Sequence, residues 1–450
     1  MIYFSFDKDL LRYYRAWYRV KIAILRKNYH LISSTNLDIY GFYGCGKTEF
    51  ARQLVAKHKD IRYFSFKGLD GKGALSAFCN SFLNGTHHET WKDALNALYD
   101  QFRIGFYLFL FDDVDAPSYE DFRLALKESE QPMNIQFRVT ETIAPYFGRK
   151  TGYIEPRSVA DFLNTFTALN KADVIRLYSL TGGIPAVAKE MDADLSYEDN
   201  LRILLSFDSA FSKTLPDILE KTFRSPESYH PIMNSIAVGH HRLSEIAKAV
   251  GFPNNKCGKY LDALSKAGLV KSEKPDNNPH TQYSLANSYL NSWYLYVYQN
   301  KNMQITDPQK LFDIVTASID QSVAIPALHD SCIRYIRNDR HKDEYRVFDQ
   351  YVKGINKPKK IKLRNGFHMQ FDCALSHNDR ILLGVFPRSL EEKYTKNELS
   401  HYIKVARSFG SLYDDVSLFV FSVNRFSDWC VHQASIFSQL FCVTAERLKY

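Results

Sequence analysis

Gly41-Phe42-Tyr43-Gly44-Cys45-Gly46-Lys47-Thr48 decides the fold. Its spacing, G-x-x-x-x-G-K-T, is that of a Walker A loop, which carries meaning only between a strand and a helix. Both flanks qualify. Leu37–Tyr40 reads as a short buried strand, and 47–58 as a helix with Phe50, Ala51, Leu54 and Val55 on one face. The glycines let successive N–H groups turn inward on phosphate oxygens, and the helix N-terminus adds a favourable dipole. The expected nucleotide-binding set is Gly41, Tyr43, Gly44, Cys45, Gly46, Lys47, Thr48 and Glu49. Lys47 reaches the β- and γ-phosphates of ATP as a point charge, and the Thr48 hydroxyl completes a magnesium shell. The competing reading is a glycine-rich turn without a ligand, which leaves the flanking strand and helix unexplained.

A chain of 450 residues is too long for one core and points to about three domains. Hydrophobic residues at 45% and charged residues at 24% are an ordinary globular balance, and 14% aromatics argue against long disordered stretches. No apolar run approaches a membrane span, and the charged start at Asp7, Lys8 and Asp9 is not a signal peptide. Seven scattered cysteines without C-x-x-C spacing fit reduced thiols in a cytoplasm, and suit neither a zinc site nor a disulfide framework. A net charge of +8 permits nucleic-acid binding without demanding it.

Residues 1–29 hold an expected helix, from about Asp9 to Asn28, whose Leu10, Leu11, Tyr14, Trp17 and Leu25 suit packing better than a membrane surface. From 30 to 156 strand and helix patterns alternate, as in a parallel sheet covered on both faces. Phe106–Phe111 is a continuous apolar run, the mark of a strand buried on both sides, and it ends in Asp112-Asp113-Val114-Asp115. An open parallel sheet binds its ligand beyond the carboxyl ends of its strands, which brings these acids beside the glycine loop. Asp112 is expected to hold magnesium through water and Asp113 to orient or activate the attacking water, while Lys47 acts in catalysis by neutralising phosphate charge. Many ATPases of this kind carry Glu where Asp113 stands; Asp is shorter by one C–C bond, about 1.5 Å, which slows hydrolysis. Asp115 suits a helix cap. Thr140, closing the next strand, is either a γ-phosphate sensor or a strand-end cap, and Arg149 either pairs with phosphate or belongs to a loop.

Residues 157–225 read as a helical lid, with starts near Ser158, Lys171 and Tyr197. In Thr181-Gly182-Gly183-Ile184-Pro185 the glycines end one helix and Pro185 opens the next. Residues 226–300 show helices at 228–238, 243–251 and 255–267 and strands at 270–274 and 282–285, the pattern of a winged helix-turn-helix. Its third helix offers Lys256, Lys259 and Lys266 to DNA; the alternative is a packing or dimer surface. Tyr289–Tyr298 reads as an aromatic core helix. Residues 301–450 form a separate α/β block. A helix at 311–337 breaks near Pro326, and strands follow at 345–352, 367–375, 380–386 and 416–423. The lysine-rich run at 353–364 either tracks a phosphate backbone or is a solvated hairpin.

This order of parts resembles the archaeal-type P-loop ATPases of the STAND and AAA-like branch. The likeness rests on the loop at 41–48, Leu108–Asp113, Thr181–Pro185, the winged-helix stretches Leu243–Gly251 and Lys259–Pro275, and Tyr289–Tyr298. It implies a P-loop NTPase parallel sheet with a helical lid, a winged helix-turn-helix and a C-terminal restriction-endonuclease-like α/β domain. It also implies that Gly183 and Pro185 lie where the lid senses nucleotide, and suggests a sensing role for Arg149. The C-terminal domain of such proteins often resembles PD-(D/E)xK nucleases, which need an acid on one strand and Glu-x-Lys on the next. Asp372 supplies the first, but Ile381–Arg388 carries neither acid nor lysine, so an inactive nuclease-like fold is expected. Taken together, the chain reads as an ATP- and magnesium-binding, slowly hydrolysing molecular switch. The rival is a DNA-binding regulator that holds ATP without turnover. DNA, a protein partner or a second copy of the chain remain open as partners.

Overall fold

The computed structural model describes residues 37–57, 61–102, 108–113, 120–128, 135–139, 150–274, 280–337, 359–362, 368–377, 380–391, 394–411, 414–437 and 440–449. The expected helix at 9–28 and strand at 345–352 lie outside them, as do Thr140 and Arg149. The chain forms two compact units, Met1–Pro156 with Lys266–Gly268, and Arg157–Ser265 with Leu269–Tyr450.

The first unit is built on five parallel strands: β1 (Leu37–Tyr40), β2 (Ile61–Ser65), β3 (Leu108–Asp112), β4 (Ile135–Val139) and β5 (Lys150–Tyr153). Their order is β2-β3-β4-β1-β5, which sets β1 in the interior and β2 at an edge. The edge strand β5 is absent from the sequence-based expectation. Lys-Thr-Gly-Tyr is short, polar and interrupted by glycine, so it becomes a strand only through pairing with β1. Helices α1 (Lys47–Lys57), α2 (Gly71–Phe82), α3 (Trp91–Phe102) and α4 (Glu120–Glu128) complete the unit.

One core of this unit is rich in aromatic rings. Phe64, Phe66, Phe78, Phe82, Trp91, Phe109, Phe111 and Phe122 are buried together. Phe66 and Trp91 each approach Phe122 at 4.8 Å between ring centroids, the tilted or edge-on contacts that ring quadrupoles favour. This packing anchors β2 and β3, and with them the acids at the end of β3.

The second unit combines helices with a four-stranded sheet, β10 (Cys373–His377), β11 (Arg380–Val385), β12 (Asp415–Ser422) and β13 (Leu440–Thr444). β10 and β11 run antiparallel; β11, β12 and β13 run parallel. The single strand expected at 367–375 divides at Asp372. Its first half, β9 (His368–Phe371), pairs with β8 (Lys359–Lys362), and its second is β10. Along β12, Leu418 and Val420 face the helices at 396–408 and 428–436, while Phe419 and Phe421 face those at 159–181 and 325–337. Burial on both faces explains the unbroken apolar run.

One cluster therefore joins Val159, Phe162 and Tyr178 of the expected lid to Leu328, Phe386, Phe421 and Val443 of the C-terminal block. The link is reinforced by Lys171 to Glu446 at 2.8 Å and by Arg176, which clasps both carboxylate oxygens of Asp320 at 2.7 and 2.8 Å. The two stretches thus share a core.

Three helices (His230–Ala237, Leu243–Val250 and Asn254–Lys266) precede the antiparallel pair β6 (Val270–Glu273) and β7 (Gln282–Leu285). The expected aromatic helix is present in part as a π-helical turn at Trp293–Tyr298, with Trp293, Tyr294 and Tyr296 buried. The break expected near Pro326 falls one turn earlier, in the π-helical stretch Asp320–Ala324. A proline ring crowds the carbonyl four residues before it, here that of Ser322, and the widened turn relieves the crowding. Among the described residues, one helical run, Pro308–Ile336, is by length and composition able to cross a membrane. Its Leu311, Val315, Ile319, Val323, Leu328 and Cys332 are buried within the second unit.

Gly182 and Gly183 end the helix Lys171–Thr181 with left-handed φ values of 61° and 69°, and Pro185 opens the helix Pro185–Ala188. A Cβ on Gly183 would meet the Arg157 carbonyl oxygen at 2.2 Å, whereas one on the helical Gly258 would meet nothing within 4 Å. Gly183→Ala is therefore expected to destabilise the second unit by about 3 kcal/mol, and Gly258→Ala to stabilise by up to about 1 kcal/mol. Urea unfolding followed by tryptophan fluorescence checks both.

Candidate functional site

The loop leaves β1 at Gly41, where the chain passes so close to the Ile154 carbonyl oxygen that a Cβ would lie 2.5 Å from it. Gly44 and Gly46 take left-handed φ values of 80° and 92°, the conformations that let the loop curl back before α1 begins at Lys47. The Cys45 N–H donates to the Phe42 carbonyl at 3.2 Å, closing the turn, and the Phe50 N–H donates to Gly46 at 2.9 Å, starting the helix. Phe42, Cys45 and Phe50 are buried and hold the loop from beneath, while Tyr43 is exposed.

Lys47 lies across this loop. Its ammonium donates to the carbonyls of Gly41 at 2.6 Å and Phe42 at 3.1 Å. The cation is thereby held beside the loop in a donor-rich turn suited to anionic oxygens. Thr48 follows in the first turn of α1, half-buried. Glu49 accepts from the Gln53 side chain at 3.1 Å, so it engages the next turn of its own helix.

Asp112 and Asp113 stand at the carboxyl end of β3. Asp112 is completely buried; the Tyr63 hydroxyl donates to its Oδ2 at 2.7 Å. Asp113 is half-buried, with a left-handed φ of 58° and a longer contact from the Ser65 hydroxyl at 3.4 Å. With β4 between them, β1 and β3 are two strand spacings apart, roughly 10 Å. The glycine loop and Asp112 therefore follow strands two places apart in the sheet. Lys47, Thr48, Asp112 and Asp113 thus share the carboxyl edge of one sheet.

Tyr63 and Ser65 were not among the residues expected from sequence. Their signal is the alternation Tyr63-Phe64-Ser65-Phe66, polar residues on one face and buried rings on the other. Only strand order reveals that β2 neighbours β3 and that the polar face meets the acids.

The remaining candidates lie elsewhere in the chain. Pro185 is buried at the first turn of its helix. Lys256, Lys259 and Lys266 are exposed along one flank of the helix Asn254–Lys266, opposite the buried Cys257, Leu261 and Leu264. The Lys256 ammonium lies 4.2 Å from the Phe252 ring centroid, and exposed Asp262 shares the lysine flank. Asp372 is committed to backbone: its Oδ2 accepts from the Phe386 N–H at 2.8 Å, and its own N–H donates to Gly384 at 3.0 Å. No group of three or more metal-ligating side chains occurs among the described residues.

No family model matches the chain. An uncharacterized protein of Methanocaldococcus jannaschii is 23% identical over 295 residues, which is 60% of this chain and 66% of that protein, so the chain spans just under two thirds of the relative's length. Among solved structures, a signal transduction ATPase with numerous domains (STAND) and a tetratricopeptide repeat sensor from Pyrococcus horikoshii is similar at 15% identity. It covers 72% of this chain and 50% of that one, with a TM-score of 0.28. A structure of Drosophila ORC bound to AT-rich DNA and Cdc6 matches at 11% identity over 64% of this chain and 92% of that one, with a TM-score of 0.24. Scores this low carry no argument about this chain, whose mixed, helix-rich α/β fold rests on its own strand order.

A left-handed conformation costs an L-residue about 1 kcal/mol, less for Asp than for branched side chains. Asp113→Gly is therefore expected to hold or raise the melting temperature, and Asp113→Val to lower it. Thermal melts by circular dichroism check both.

Proposed function

We propose that the chain is an ATP- and magnesium-binding P-loop switch that hydrolyses ATP slowly. The observation that carries this reading is the strand–glycine loop–helix with Lys47 lying across it, at the same sheet edge as Asp112. Gly41, Tyr43, Gly44, Cys45 and Gly46 cradle the phosphates through the loop backbone, and Lys47 neutralises their charge. Thr48 and Asp112 are the residues that would hold magnesium, and Glu49 lies beside them in the first turn. Magnesium, when bound, supplies further neutralisation of the phosphate oxygens, and most of what phosphoryl transfer asks of a protein is such positioning and charge stabilisation. Asp113 orients the attacking water, and its short side chain makes turnover slow.

The proposal extends to the rest of the chain. Helices in 157–225 act as a lid, with Thr140, Arg149 and the turn at Pro185 as nucleotide sensors. Residues 226–300 are a winged helix and 301–450 an inactive nuclease-like domain. The stretch Ile381–Arg388 favours inactivity, because such a site needs an acid and a lysine on that strand and neither stands there. The shared core of 159–181 and the C-terminal sheet favours a mechanism in which lid and C-terminal domain move as one body. Seven free cysteines, six of them buried, suit a reducing cytoplasm.

Lys47→Ala is expected to abolish tight ATP binding, measured by isothermal titration with magnesium present. An unchanged affinity would overturn the proposal.

A second reading, a DNA-binding regulator that holds ATP without turnover, is favoured by the exposed flank of Lys256, Lys259 and Lys266. It predicts DNA affinity that falls steeply with salt, since each neutralised phosphate releases counterion. Fluorescence anisotropy with duplex DNA at rising salt tests this; a flat response points to a protein partner.

A further inference from the structure

We infer that β2 supplies a positioning residue to the acid pair: Tyr63, which orients Asp112 for magnesium. The inference rests on the ATP- and magnesium-binding reading above and concerns a residue that the Walker-type motifs do not contain.

The geometry follows from register. Ser65 of β2 lies directly opposite Asp112 of β3, and Tyr63 lies opposite Leu110. In adjacent parallel strands, register partners share a face, and so do residues two apart. Tyr63, Ser65 and Asp112 therefore occupy one face, while Phe64, Phe66 and Phe111 are buried in the aromatic cluster on the other. That cluster fixes the height and rotation of β2 against β3, and the Phe66 N–H donates to the Asp112 carbonyl at 2.9 Å just past the strand end. Tyr63 is thus held with its hydroxyl 2.7 Å from Asp112 Oδ2.

A carboxylate at full burial has few ways to satisfy its lone pairs, and its rotation is set by whichever donor reaches it. Tyr63 is such a donor. It ties one oxygen and so selects one orientation of the carboxylate, the task that partners of metal-ligating carboxylates perform elsewhere; losing such a partner typically costs 10- to 100-fold in metal affinity or activity.

The test uses the full-length protein as wild type, Tyr63→Phe, Asp112→Asn and the Tyr63→Phe/Asp112→Asn double variant. ATP binding is measured by isothermal titration in EDTA and across a magnesium series. Tyr63→Phe removes only a hydroxyl and is expected to bind ATP in EDTA as wild type does. Its half-saturating magnesium concentration is expected to rise about tenfold, and this rise should vanish in the Asp112→Asn background. Unchanged magnesium dependence in Tyr63→Phe, or an equal loss of ATP binding with and without magnesium, overturns the role of Tyr63. Absence of ATP binding by the wild type overturns the underlying reading instead.

Discussion

A carboxylate withdrawn from water at the end of a strand of apolar residues is the constraint on which the first unit depends. Burying a charge costs several kcal/mol where donors do not offset it, and Asp112 receives such a donor from the neighbouring strand. The fold supplies it by building outward from β3. Phe109 and Phe111 pack into an aromatic layer, that layer seats β2, and β2 delivers the Tyr63 hydroxyl to Asp112 at 2.7 Å. The aromatic core and the polar site are consequences of one alternation, read from opposite faces of the same two strands.

The glycine loop obeys a different constraint, one of backbone space. Gly41 passes a neighbouring carbonyl too closely for any side chain, and Gly44 and Gly46 hold left-handed angles that let the loop double back. Lys47 then finds two carbonyl acceptors within the loop that it follows.

In the second unit the notable economy is a shared core. Helices at 159–181 pack on one face of the C-terminal sheet through Phe162, Tyr178, Phe386 and Phe421, and Arg176 fastens them to Asp320. Native cores are packed too densely to shear easily. Apolar periodicity reveals that a helix has a buried face but not what covers it, so this packing is not legible in the sequence.

Local conformation was legible from sequence. The spacing of glycines with Lys47 and Thr48, the apolar run ending in Asp112 and Asp113, and the break at Gly182-Gly183 with Pro185 behind it all follow from steric and hydrogen-bonding rules acting within a few residues. Tertiary structure alone decided the rest. It made Lys150–Tyr153 a strand because β1 was available to pair, it moved the break near Pro326 one turn earlier, and it split 367–375 at Asp372. Above all it set β2 beside β3. Tyr63 and Asp112 are far apart in sequence, and their hydrogen bond exists only through strand order, a property of the whole sheet that no local pattern encodes.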